Sequence, residues 1–305
     1  MNTKKIAGID LGSNTILMLI ADIDSNNNLK YIRDENSIAR LGEGVNQYKI
    51  INQNAIDRSV EILKEYKKIC IEEKVDEIIA CGTSAMRDAT NGEQVAEIFS
   101  NILDAKVEII SGDEEARLTF IGAIENTNRC TIIDIGGGST EFITGENNEI
   151  EYKYSINIGA VRIKEMFFNS HPPKNDELIK AKKFILQNLS LLDKANISNF
   201  SYAVAGSPTS IAGIHLNLSE FDYDKIHLFK LYPQIINDVW DIILSHSVDE
   251  IIKKYNMHPR RADIISAGVL ILKTTLEYFN NLPCVVSVKG LRYGIIKNYL
   301  NKKLF

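Results

Sequence analysis

One short phrase occurs twice in this chain, as Ile9-Asp10-Leu11-Gly12-Ser13-Asn14-Thr15 and as Ile133-Asp134-Ile135-Gly136-Gly137-Gly138-Ser139-Thr140. Each copy reads as an apolar strand ending in an Asp, a Gly-containing turn with small hydroxyl side chains, and a second apolar strand. Asp-x-Gly followed by Ser or Asn is common in hairpin turns, and either copy alone means no more than that. A matched pair, one near the start of each half, calls for a duplicated fold with an equivalent loop in each half.

The rest of the chain suits that reading. Its 305 residues allow two ordinary domains, and 45% hydrophobic residues allow two cores. Around residues 6–11, 16–22 and 29–36 three strands form a meander about the first turn. Residues 52–73 carry a helical stripe at Ile56, Val60, Leu63, Tyr66 and Ile69. Short strands at 77–81 and 106–110, each followed by a helix, complete an α/β half. Strands at 131–135, 141–144 and 150–156 repeat the opening. The second half then turns helical at 160–168, 176–192, 231–245, 248–255 and 262–279, with strands at 201–205 and 285–288. Tight turns are expected at Asn26 to Asn28 and at Glu146 to Glu149. The boundary falls at 1–124 and 125–305, and a helix at about 291–305 is expected to pack back on the first domain.

Charge and cysteine usage narrow the function. A net charge of −5 leaves no excess of Lys and Arg for a nucleic-acid backbone, though a few Arg and backbone N–H groups still suffice for a small or linear polyanion. Cys70, Cys81, Cys130 and Cys284 are widely spaced without a C-x-x-C pair, so buried free thiols in a reducing compartment are expected. The five histidines show neither H-x-x-x-H nor H-E-x-x-H spacing, which supports no zinc site and no Ser-His-Asp triad. No apolar leader or membrane-length run is read, and a cytoplasmic protein without membrane contact is expected.

Several segments could carry chemistry. Asp10 and Asp134, at strand ends beside Gly12 and Gly136 to Gly138, offer a carboxylate for Mg²⁺ and a backbone nest for phosphate oxygens. Ser13, Asn14, Thr15, Ser139 and Thr140 add neutral donors. Ser111 and Glu114 fit a capping box at a helix start, which explains Glu114 but not Glu115. Glu115 reads equally as an ordinary first-turn acid and as a carboxylate that deprotonates a water. Thr83, Ser84 and Arg87 follow a strand and suit an anion, or form a capped helix with Arg87 in solvent. Arg40, Arg117, Arg162 and Arg292 lie near glycine turns, where surface residues are commoner than ligands. Ser207-Pro208-Thr209 reads as a phosphate-facing turn or a plain helix start.

Taken in order, these segments resemble the exopolyphosphatase and guanosine pentaphosphate phosphohydrolase (Ppx/GppA) family in its short, two-domain form. The resemblance rests on both turns and on Arg40-Leu41-Gly42-Glu43-Gly44, Thr83 to Ala89, Ile110 to Arg117, Asn157-Ile158-Gly159-Ala160-Val161-Arg162, Arg261-Ala262-Asp263 and Gly290-Leu291-Arg292-Tyr293-Gly294. It implies two actin-like (ribonuclease H-like) α/β domains of the actin, sugar-kinase and heat-shock ATPase superfamily, with an interdomain cleft. It also implies removal of a terminal phosphoryl group by water with Mg²⁺ or Mn²⁺. On this basis Glu115 is the catalytic base, Asp134 and Glu141 (with Asp10) are metal or water-positioning carboxylates, and Arg87 is a phosphate ligand. Gly159 and Arg117 join the expected phosphate contacts. The chain departs from the family at Ser207-Pro208-Thr209, where a Gly-Gly-Thr type turn is usual, and at Lys289, where an Asp is frequent.

The implied substrate is inorganic polyphosphate, with guanosine pentaphosphate presenting the same terminal phosphoanhydride. A non-hydrolysing alarmone or nucleotide sensor is the competing class, and a sugar or acyl kinase of the same fold a third. A second copy of the chain, as a homodimer, is the macromolecular partner considered, and nucleic acid is not.

Overall fold

The computed structural model of the chain describes residues 4–25, 28–126 and 128–302; the turn expected at Asn26 and Asn27 lies outside the described residues. Two compact units result. The stretches up to Gly122 and from Gly290 onward form the first, and Ala123–Lys289 the second.

In the first unit β1 (Lys4–Leu11), β2 (Thr15–Ile23) and β3 (Leu29–Ile38) form an antiparallel meander. Strands β4 (Glu77–Gly82) and β5 (Val107–Ile109) add in parallel beyond β1, giving the order β3-β2-β1-β4-β5. The connecting helices are α1 (Val45–Tyr48), α2 (Gln53–Glu72), α3 (Ser84–Asp88), α4 (Gly92–Leu103) and α5 (Gly112–Ala123). Helix α2 starts where Asn52 Oδ1 accepts the Ala55 N–H at 2.9 Å, a cap worth about 1 kcal/mol. It buries Ile56, Leu63, Tyr66 and Ile69 of the expected stripe. Strand alternation sends Ala7, Ile9 and Leu11 into the core shared with α2 and α4. Gly8 and Asp10 therefore face the other side.

The second unit repeats this plan. Strands β6 (Cys130–Ile135), β7 (Thr140–Glu146) and β8 (Glu149–Ile156) form the meander. Strand β9 (Ser201–Val204) pairs in parallel with β6; β10 (Lys230–Leu231) is the antiparallel edge, and β11 (Cys284–Val286) lies between them, parallel to β9. Helices α6 (Ala160–Phe167), α7 (Asn175–Leu189), α8 (Gly206–His215), α9 (Tyr223–Ile226), α10 (Pro233–Ser245), α11 (Val248–Tyr255), α12 (Pro259–Ala262) and α13 (Ile265–Tyr278) follow. Ile133, Ile135 and Phe142 of the sheet meet Ile185, Ile211, Val239 and Leu272 of four of these helices in one core. The fold is α/β, and in both sheets a three-strand antiparallel meander is extended by parallel strands.

Two local differences from the sequence reading have simple causes, and one expected turn is present as read. Lys230 and Leu231 pair with Val285 and Cys284 as a strand, so the helix expected from 231 begins at Pro233, whose ring suits the first helical turn. The single helix expected at 262–279 is two, α12 and α13, with Asp263 closing the first. At the expected turn after β7, Glu146 pairs with Glu149 while Asn147 and Asn148 hold φ of 53° and 65°, as a two-residue hairpin with the strand twist requires.

Helix α14 (Leu291–Lys302) completes the first unit on the Gly8 side of β1. A Cβ at Gly8 would lie 2.8 Å from the Arg292 carbonyl oxygen, and one at Gly294 only 1.8 Å from that of Leu118. Glycine is thus what lets α14 settle on both β1 and α5. Gly294→Ala should destabilise the fold by about 3 kcal/mol, since overpacking here must move backbone rather than a side chain. Denaturant unfolding measures it, and an unchanged midpoint contradicts the packing described.

Candidate active site

Both repeated phrases fold into the same turn. Gly12 N–H donates to the Thr15 carbonyl and Gly136 N–H to that of Ser139, each at 3.0 Å. Each turn is then braced through its own carbonyls. The Ala39 and Arg40 amides donate to Asn14 O at 3.0 and 2.9 Å, and Gly42 N–H to Ser13 O at 2.8 Å. In the second unit Ala160 donates to Gly136 O, and Val161 and Arg162 to Gly137 O, at 2.9–3.1 Å. Among the described residues, no protein group accepts from the amides of Ser13 and Asn14, or of Gly137 and Gly138. Adjacent free N–H groups in a rigid turn are what a phosphate oxygen requires.

In the first unit other segments converge on this turn. Ser84 Oγ lies 2.7 Å from Ser13 Oγ, joining the start of α3 to the loop. The Arg87 guanidinium donates to the Ile110 carbonyl at 2.9 Å and to Glu115 Oε2 at 3.0 Å. Glu115, in the first turn of α5, is about a third exposed. Burial raises its carboxyl above the usual range, and Arg87 pulls it back down. Asp10 closes the group. Its Oδ1 is shut off from solvent with no hydrogen-bond partner among the described residues. Burial first, and then the Glu115 charge, push its pKa up to about 7, against the pull of Arg292.

The strand after the second turn carries an acid where the first has an apolar residue. Asp134 pairs with Glu141 across β6 and β7, putting both side chains on one sheet face, whereas Asp10 pairs with Leu17. Ser155 on β8 donates to Glu141 Oε1 at 2.8 Å.

Not every expected contact is placed to meet a ligand. Thr140 is fully buried, and its hydroxyl donates to the Ile158 carbonyl at 2.6 Å. Thr83 is buried, with its hydroxyl on the Leu11 carbonyl. Arg117 grips Glu114 through two bonds of 2.8 and 2.7 Å and Asn298 through a third of 2.6 Å, tying α5 to α14. Gly159 serves packing, since a Cβ there would fall 2.3 Å from the Gly137 carbonyl. Glu114 does accept its cap role in part, its N–H donating to Ser111 Oγ at 3.1 Å. Ser207-Pro208-Thr209 opens α8, with Thr209 Oγ1 donating to the Ala205 and Gly206 carbonyls. Arg292, read as a surface residue, is instead buried against Asp34. A charged run at Arg33-Asp34-Glu35 inside a strand was the signal available for Asp34.

The family resemblance implies a divalent ion, with Asp10 on the first unit and Asp134 and Glu141 on the second as the expected carboxylates. No three His, Cys, Asp or Glu gather among the described residues. Mg²⁺ needs no such cage: it takes one or two carboxylates and completes its shell with water and substrate phosphate. The shielded Asp10 oxygen and the Asp134–Glu141 pair fit that habit.

The free-amide turn, the shielded Asp10 carboxylate and the Glu115 held by Arg87 in the first unit are the kinds of group that phosphoryl transfer calls for. The Ppx/GppA phosphatase family model matches residues 19–303, and the chain belongs to that family. It is 36% identical to the bifunctional 3-dehydroquinate synthase/phosphatase of Fusobacterium nucleatum over 97% of its own length, and spans about half (47%) of that relative. It is 28% identical to exopolyphosphatase 2 of Mycobacterium tuberculosis, covering 90% of each chain. The crystal structure of the Aquifex aeolicus Ppx/GppA family member superposes with a TM-score of 0.84 at 28% identity, covering all of both chains. No helix among the described residues is long and apolar enough to cross a membrane.

The raised Asp10 pKa has a definite stability sign. A carboxyl of pKa 3.8 when unfolded and about 7 when folded costs the fold progressively as pH rises through that interval. Asp10→Asn should therefore be more stable than the parent at pH 8 without divalent ions, and the gap should close as pH falls toward 4. Thermal unfolding across that range checks it; a constant gap contradicts the burial assigned to Asp10.

Proposed function

We propose that the chain removes terminal orthophosphate from inorganic polyphosphate by attack of water. The observation that carries this reading is Glu115, held at 3.0 Å by Arg87 and close enough to Asp10 for their charges to interact, on the unit that also presents the Ser13–Asn14 nest. Glu115 is the base that orients the water and takes its proton, and its burial makes it a stronger base than a solvated carboxylate. Arg87 and the free turn amides of each unit bind non-bridging phosphate oxygens, where charge shifts as the leaving group departs. Asp134 and Glu141 on the second unit, and Asp10 on the first, are the carboxylates offered to a divalent ion, which when bound would neutralise phosphate charge and polarise the phosphorus. General-base help supplies about 10²–10⁴-fold, so electrostatic clamping must supply most of the acceleration.

Polyphosphate is favoured over guanosine pentaphosphate because the groups assembled here recognise phosphate alone. The name of the mycobacterial relative points the same way. Orthophosphate release should be faster from polyphosphate than from guanosine pentaphosphate at matched concentrations, and should stop when EDTA is added. Preference for the pentaphosphate would reassign the substrate. Tight binding of either without release would leave a sensor.

A further inference from the structure

We infer that Arg162 is the phosphate-binding cation of the second unit. Together with the Gly137 and Gly138 amides it takes the non-bridging oxygens of one phosphate of the substrate. The inference deepens the phosphohydrolase reading and rests on it for the choice of polyphosphate as ligand.

The second turn and the start of α6 are built as one piece. Gly159 lets them meet, and the first amides of α6, from Ala160, Val161 and Arg162, all donate to turn carbonyls. The Arg162 side chain returns to the same turn, where its Nε donates to Gly138 O at 2.8 Å. Its Nη2 lies 3.8 Å from where a Gly138 Cβ would stand. Gly138 does not sit in the left-handed region, so what glycine supplies at this position is room beside the guanidinium.

Arg87, Arg117 and Arg292 each face a carboxylate. Arg162 has none, and its two terminal nitrogens meet no acceptor among the described residues. The position is also electrostatically wrong for a cation. Arg162 lies in the first turn of α6, the positive end of the helix dipole, with no acid in that turn and no side-chain cap. Helix stability alone gives no reason for a cation there, and a bound anion supplies one. With Nε held by a carbonyl, the end-on pair of Nη atoms is left as a fork that matches two phosphate oxygens. The unpaired Gly137 and Gly138 amides in the same turn add neutral donors.

Calorimetric titration of inorganic polyphosphate into the full chain carrying Glu115→Gln tests this apart from turnover. Adding Arg162→Gln should weaken polyphosphate binding by about tenfold or more, as loss of a charged, two-pronged contact does. The same variant without ligand should unfold at the parental temperature or above, because a cation has left a positive helix end. Arg162→Lys, which keeps the charge at a single point, should recover only part of the affinity, and it serves if Arg162→Gln fails to fold. Parental affinity in either folded variant overturns the inference, as does absence of polyphosphate binding by the Glu115→Gln parent. Weaker binding matched by a fall in ligand-free unfolding temperature also overturns it, making Arg162 a brace for the turn. Arg162-dependent polyphosphate binding in a chain that, with Glu115 intact, releases no orthophosphate would sink the phosphohydrolase reading and leave this inference standing.

Discussion

Everything specific about this chain hangs on one hydrogen bond made twice, from a glycine amide across a tight turn to the carbonyl three residues on. That bond brings the chain back within a few residues of an Asp at the end of a central strand. Bracing segments then take the turn's carbonyls, and two amides are left facing outward in each unit. The shielded Asp10 oxygen costs about 1–3 kcal/mol if nothing meets it, while the turn amides, partly open to solvent, are met by water until a ligand arrives. Their natural partners are phosphate oxygens for the amides and a hard cation for the carboxylate.

Duplication supplies the scaffold, and departures from it supply the chemistry. The two sheets share strand order and turn, yet Glu141 stands where the first copy has Leu17. Glu115 and Arg87 belong to the first unit, and the paired carboxylates Asp134 and Glu141 to the second.

Local features were legible in the sequence because short-range forces decide them. The strand–turn–strand phrases follow from β-branched runs and glycine, and the α2 stripe from helical periodicity. The independence of Glu115 from the helix cap was also visible, since Ser111 and Glu114 fill the capping positions. What stayed hidden depends on distant partners. Arg292 meets Asp34 across 258 positions of sequence, and Arg117 meets Asn298 across 181. Neither spacing leaves a trace in a local pattern. Thr140 illustrates the other limit: its hydroxyl looked available for phosphate, but strand alternation buried it on the Ile158 carbonyl. Composition at a turn shows which donors exist, while burial decides which are left to bind.

The central claim is that Glu115 handles the attacking water, and one substitution isolates it. Glu115→Gln keeps the size and hydrogen-bonding capacity of the side chain but removes the base. With Mg²⁺ and polyphosphate, single-turnover orthophosphate release should fall by about 10²-fold or more while polyphosphate binding is retained. Release at the parental rate would contradict the account.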